Sequence, residues 1–159
     1  MTSPTTRLTA PPTDAAATAR AELGTLPLWN LTHLYPGMVS DALKADIAKA
    51  DTDSKAFAQQ YRGTLAALAA TPQASAGLAS ALSAYEALED LLGRIMSYAG
   101  LVYCEDTTDP VRAKFYGDVQ EKLTVMSAEL LFFTLELNRI DDALMDQALE
   151  AGPLSHYRP

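Results

Sequence analysis

Leu78, Leu82, Tyr85, Leu88, Leu92, Ile95, Ala99 and Val102 follow one another at steps of 4, 3, 3, 4, 3, 4 and 3. Val111, Phe115, Val119, Leu123, Met126, Leu130, Phe133 and Leu137 then step by 4, 4, 4, 3, 4, 3 and 4. A strand returns a side chain to one face every second residue and a helix every 3.6, so both stretches bury a continuous face only as helices. Between them Thr107-Thr108-Asp109-Pro110 sets a cap residue before a first-turn proline, which ends one helix and starts the next. The first helix is expected from about Pro72 to Glu105, and the second, of about 28 residues, would be roughly 42 Å long. So short a connection makes the two antiparallel.

The rest of the chain extends this pattern. Ser40 and Asp41 offer N-caps for a helix carrying Leu43, Ile47, Ala50, Phe57 and Tyr61, with Arg62-Gly63 as its stop. A short Ala/Leu segment follows from Thr64 to Ala70, and Asp141-Asp142 caps a further short helix reaching Gly152-Pro153. Ahead of them, Leu26 to Gly37 reads as a strap anchored by the only Trp, Trp29, and closed by a Pro-Gly turn. Gly93 and Gly100 weaken the first long helix, yet lacking a Cβ they are expected to admit a close neighbour. The predicted fold is therefore all-α: an antiparallel helical bundle or helical-hairpin stack over residues 25–159, behind a Thr/Pro/Ala-rich disordered leader over residues 1–24.

Composition narrows the function classes. Of the 159 residues, 12 are Lys or Arg and 20 are Asp or Glu, a formal charge of −8 that disfavours nucleic acid and anionic lipid. No apolar run approaches the roughly 20 residues of a membrane span, and the leader lacks a secretory signal. A single Cys104 rules out an internal disulfide, and a reducing cytoplasm fits.

Few constellations carry chemistry. His33 and His156 stand in no His-Glu-x-x-His or Glu-x-x-His frame, so no metal ligand is assigned, and both read as structural, His33 as a hydrogen-bonded residue of the strap. Cys104, followed by Glu105 and Asp106, reads as a packed, inert thiol because neighbouring acids disfavour the thiolate. Glu86 and Asp90 lie one turn apart, but Asp90 precedes Arg94 by four residues, and a solvated charged face with an Asp90–Arg94 pair is the expected outcome. No catalytic residue is assigned. Tyr85, Tyr98, Tyr103 and Tyr116 cluster on the two long helices, and phenols at a groove can grip a peptide carbonyl, which makes them the candidate rim of a peptide channel. The run Leu130-Leu131-Phe132-Phe133-Thr134-Leu135 is apolar around most of a helix and so calls for burial on two sides, by a missing partner, by a missing remainder of the protein or by self-association.

Several words in a fixed order add a resemblance. Leu28-Trp29-Asn30-Leu31-Thr32-His33-Leu34-Tyr35-Pro36, Ala56-Phe57-Ala58-Gln59-Gln60-Tyr61-Arg62-Gly63, Ala84-Tyr85-Glu86-Ala87-Leu88, Ser97-Tyr98-Ala99, Thr107-Thr108-Asp109-Pro110, Leu131 through Asn138 and His156-Tyr157-Arg158 together resemble the N-terminal part of the oligoendopeptidase F family, zinc metallopeptidases related to thimet oligopeptidase. The similarity runs from about Leu26 to Pro159. It implies a helical domain that walls a deep channel and restricts access to short unfolded peptides, joined to a downstream catalytic domain of the same polypeptide. In that family a His-Glu-x-x-His helix and a later Glu bind zinc and activate water. None of those residues is present, so no catalytic or zinc position carries over, and the chain is expected to be an N-terminal fragment, inactive alone and without a cofactor of its own. The competing expectation is a freestanding acidic helical module for protein interaction or dimerisation.

Overall fold

The computed structural model describes residues 29–158, so the expected leader over residues 1–24 lies outside the described residues. Leu31–Pro159 form one compact unit, and Trp29 and Asn30 lie outside it. The unit is helical, with no strand among the described residues. A 3₁₀ turn at Leu31–His33 leads into α1 (Asp41–Tyr61), α2 (Leu65–Ala69), α3 (Ala74–Glu105), α4 (Pro110–Leu137), α5 (Asp142–Glu150) and a last 3₁₀ turn at Pro153–Tyr157. Among the described residues no helix is long and apolar enough to cross a membrane.

The caps stand where the sequence places them. Leu43 N donates to Ser40 Oγ at 3.4 Å at the start of α1, and Val111 N to Asp109 Oδ1 at 2.8 Å with Pro110 in the first turn of α4. Asp141 Oδ1 receives Ala143 N and Leu144 N at 3.0 and 3.3 Å ahead of α5. Pro72 differs from expectation: it lies in the turn before α3, whose N-cap is Gln73, because Ala74 N bonds back to Thr71 O at 3.1 Å and closes that turn first. In the α3–α4 loop Thr108 donates through N and Oγ1 to Asp106 Oδ1 at 2.9 and 2.7 Å, which holds the Asp106 carboxyl below the usual carboxylate range.

Ring pairs fix the helix directions. Tyr103–Tyr116 and Tyr98–Phe115 join the two helices near the α3–α4 loop, at centroid distances of 5.2 and 6.1 Å, and Tyr85–Phe133 joins them far from it at 4.6 Å, as antiparallel axes require. Phe57 of α1 meets Phe133 of α4 edge-on at 5.2 Å and Tyr85 of α3 at 6.1 Å, so the three long helices share one aromatic centre. Asp46 reaches Arg94 while Phe57 reaches Tyr85, which sets α1 antiparallel to α3. At the end of α1, Arg62 donates to Glu129 Oε2 at 2.8 Å and lies over the Phe132 ring at 5.1 Å, and Gly63 N, in a positive-φ turn, donates to Glu136 Oε1 at 2.8 Å. The Arg-Gly stop of α1 is thereby fastened to α4.

Three packing expectations change. Within the strap, Leu26, Pro27 and Leu28 lie outside the described residues, Trp29 is 55% exposed, and the buried ring is that of Tyr35, 3% exposed. Gly93 has open space around its missing Cβ and Gly100 only an ordinary contact with Tyr116 at 3.9 Å, so neither admits a close neighbour; Gly77 does, because a Cβ there would meet Leu68 Cδ1 at 2.6 Å. Gly93 faces solvent, which no neighbouring helix covers. Val111, in the first turn of α4, is exposed, while the other seven residues of its row are buried or half-buried. The seven-residue gap between Ala50 and Phe57 in α1 is filled by Ser54, fully buried and without a hydrogen-bond partner among the described residues.

Candidate functional site

The four candidate tyrosines occupy three different environments. Tyr103 and Tyr116 stack nearly parallel, 13° between planes, half-buried at the loop end of α3 and α4. Tyr98 is buried, packed edge-on against Tyr35 at 5.1 Å and Phe115 at 6.1 Å, and burial pushes its phenol above the ordinary value. Tyr85 stacks on Phe133 at 4.6 Å, and burial followed by the Glu89 carboxylate pushes its phenol up as well. Tyr85 and Tyr103 are 18 positions apart on one helix, about 27 Å at 1.5 Å per residue, so one short ligand segment does not span all four. The structure brings together Tyr103 and Tyr116 and leaves Tyr98 in the core.

The carboxylates are also differently engaged than their spacing suggested. Arg94 of α3 donates to Asp46 of α1 at 2.7 Å and pairs with no acid on its own helix; Asp90 has no ion pair among the described residues. Reach decides this. Tyr35 and Asp46 converge beside Arg94 from the neighbouring elements, and its guanidinium can join both at once. Glu86 accepts the Tyr157 hydroxyl at 2.8 Å, so this bond fastens the C-terminal turn to α3 and raises the Tyr157 phenol. The same turn is held by Ser75, whose Oγ donates to Ala151 O at 2.7 Å and receives Leu154 N at 3.1 Å.

Cys104 is exposed, against the expectation of a packed thiol: in the same turn Val102 is buried and Tyr103 stacks on Tyr116, which leaves Cys104 on the outward side of α3. Its neighbour Glu105 pairs with Arg112, which also approaches Asp109 at 3.4 Å and donates to Val102 O at 3.0 Å. His33 is exposed and its side chain forms no hydrogen bond among the described residues, unlike the bonded histidine expected of the strap. His156 is exposed, with its ring edge-on to Tyr157 at 5.7 Å. Among the described residues no group of three or more His, Cys, Asp and Glu side chains is arranged to hold a metal.

One concavity was not legible in the motifs. A groove of about 710 Å³ runs between α1 and α4, floored by Ile47 and Met126 and rimmed by Lys44, Asp51, Asp118 and Lys122. Its rim mixes both charges, and two of its acids are already paired, Asp51 with Lys55 at 2.7 Å and Asp118 with Lys114 at 2.6 Å. Ile47 and Met126 sit in the predicted apolar rows, which announce burial and give no sign of a groove between the two helices.

The described residues thus present a scaffold of aromatic and charged ties, an open groove and a stacked tyrosine pair, without a nucleophile and base in mutual reach. Comparison with known proteins gives no match to a family model, to a curated protein or to a solved structure.

Proposed function

We propose that this chain is the N-terminal substrate-gating domain of a zinc-dependent oligopeptide endopeptidase of the oligoendopeptidase F type, non-catalytic in isolation and working in the cytoplasm on short peptides. The observation that carries this reading is where the words of the resemblance fall in the fold. Tyr35 joins α1 to α3, Arg62-Gly63 fastens α1 to α4, Asp109-Pro110 opens α4, and Tyr157 closes the C-terminal turn on α3. Residues that resemble the family are thus the ones that hold these helices in register, as expected of a wall whose task is shape. The Tyr103–Tyr116 pair supplies the phenols nearest to a peptide-contacting rim. Zinc and the water it activates would belong to the downstream catalytic domain.

The deciding measurement is the reading frame of the source DNA beyond the codon for Pro159. A frame continuing to a His-Glu-x-x-His helix supports the reading, and a stop codon overturns it. Zinc-loaded chain should leave a quenched fluorescent peptide intact, and chelator-sensitive cleavage by these 159 residues alone would also overturn it.

A second reading, a freestanding interaction module, is favoured by one observation: Leu131 and Leu135 of α4 remain 61% and 50% exposed.

A further inference from the structure

The apolar residues of α4 form two rows. Val119, Leu123, Met126, Leu130 and Phe133 are buried against the rest of the bundle. On the opposite side Glu121, Thr124, Ala128, Leu131, Leu135 and Asn138 follow at steps of 3, 4, 3, 4 and 3, and all six are exposed. That alternation of threes and fours is the spacing of a helix-pair seam. From Thr124 to Leu135 the outer row holds no charge, although the chain as a whole carries −8. The row also tapers, from Thr124 and Ala128 to Leu131 and Leu135, small first and large last.

We infer that a second copy of this chain docks on this face, α4 against α4, antiparallel about a twofold axis between Ala128 and Leu131. Three features select this occupant. Antiparallel pairing sets Ala128 against the second copy's Leu131 and Thr124 against its Leu135, so each large side chain fills the space beside a small one. Parallel pairing would set leucine on leucine and leave a gap at Ala128. At the ends the same register brings Glu121 beside the second copy's Asn138 and Arg139. Neither Glu121, which also edges the α1–α4 groove, nor Arg139 has an ion pair in its own chain among the described residues, so the two are available to pair across the axis. This inference stands apart from the peptidase reading, since it uses only the outer face of α4.

From Glu121 to Asn138 the face is about 26 Å long and 10 Å wide. So small a face lies below the standard size of a stable interface, so the association is weak and transient, with a dissociation constant of roughly tens of micromolar or above. Sedimentation velocity of the chain from about 1 to 200 µM should show a monomer–dimer equilibrium in that range. Leu131→Glu should weaken it at least about tenfold while the far-ultraviolet circular dichroism stays unchanged, because Leu131 is outside the core. Glu121→Arg should weaken dimerisation by setting like charges together, and adding Arg139→Glu should restore it. With Cys104→Ser in place, Ala128→Cys should form a disulfide-linked dimer under mild oxidation, whereas Ala45→Cys on the exposed side of α1 should not. A chain that stays monomeric throughout overturns the inference, as does association that survives Leu131→Glu or a charge swap that brings no rescue.

Discussion

Arg94 of α3 and Asp46 of α1 meet at 2.7 Å, and the Tyr35 hydroxyl closes the triangle by donating to Asp46 at 2.7 Å and accepting from Arg94 Nε at 3.2 Å. Three elements far apart in sequence are joined at one point. The guanidinium also lies 5.8 Å from the centre of the Tyr35 ring, so charge and ring share the contact. Arg94 and Asp46 are partly open to water, and the ion pair alone is therefore worth no more than roughly 1 kcal/mol.

Tyr35→Phe should cost about 1–2 kcal/mol, since it removes the hydroxyl's bonds to Asp46 and from Arg94 and leaves the ring against Tyr98. Tyr35→Ala should cost about 3 kcal/mol or more, because the buried ring goes with it. Urea unfolding of both variants separates the two parts. Equal losses would mean that the hydroxyl contributes everything and the ring nothing, contrary to its burial. Asp46→Ala combined with Arg94→Ala should cost less than the two single changes added together, as members of one network do.

Ser54 makes the opposite prediction. Its hydroxyl is fully buried in α1 with no partner among the described residues, so folding strips its water and returns no bond there. Ser54→Ala should stabilise the chain by about 1 kcal/mol, read as a higher urea midpoint at unchanged slope. Phe133→Ala, by contrast, empties the place where Phe57, Tyr85 and Phe132 converge, and should cost about 3–5 kcal/mol, a large part of a domain's whole stability. A neutral Phe133→Ala would show that this aromatic centre does not hold the three helices together.

The contrast between Phe133 and Ser54 shows what was legible in the sequence. Phe133 lies in a row whose spacing alone announces a buried helical face, and Asp109-Pro110 and Asp141 announce the helix starts by local chemistry. Ser54 sits at the correct spacing, four after Ala50 and three before Phe57, but a serine carries no apolar signal. Arg94 was assigned to Asp90 because sequence spacing shows only neighbours on the same helix, while its partner Asp46 comes from 48 residues away. The tyrosines were legible as a class and not as a site, since their grouping depends on depth: Tyr98 turns inward on Tyr35, whereas Tyr103 and Tyr116 meet near the loop. Among the described strap residues the buried ring is Tyr35 and not Trp29 for the same reason, because ring size predicts burial poorly when a hydroxyl has a charged pair to meet.

Alkaline pH should unfold the chain through its buried phenols. Tyr35, Tyr85 and Tyr98 are all pushed above the ordinary phenol value of 10.0, first by burial, and then by Asp46 for Tyr35 and Glu89 for Tyr85. Each phenol therefore holds its proton more tightly in the folded chain than in the unfolded one. The stability linked to them is present in full below about pH 10 and is lost as pH rises through the folded-state values, because the unfolded chain ionises first. Absorbance at 295 nm against pH should show a late phenolate step that coincides with loss of helix. Tyr98→Phe should make that step smaller and the fall in stability shallower. A late step that leaves the helical signal intact would show these phenols ionising without unfolding.

Gly93 and Gly77 lie on the same helix, and alanine should act on them in opposite ways. At Gly93 a Cβ meets nothing within 4 Å, so Gly93→Ala removes backbone freedom from the unfolded chain without disturbing the folded one. The expected gain is about 1 kcal/mol, the ordinary difference between the two residues inside a helix. At Gly77 the new Cβ would lie 2.6 Å from Leu68 Cδ1 and 3.0 Å from its Cγ, so the α2 side chain must move before the same gain can be realised. Leu68 is only half-buried and can rotate, at the cost of its packing against the core. Gly77→Ala should therefore bring no net gain. Thermal unfolding of the two variants side by side tests this, and an equal rise in midpoint at both sites would mean that α2 does not press on α3 at Gly77.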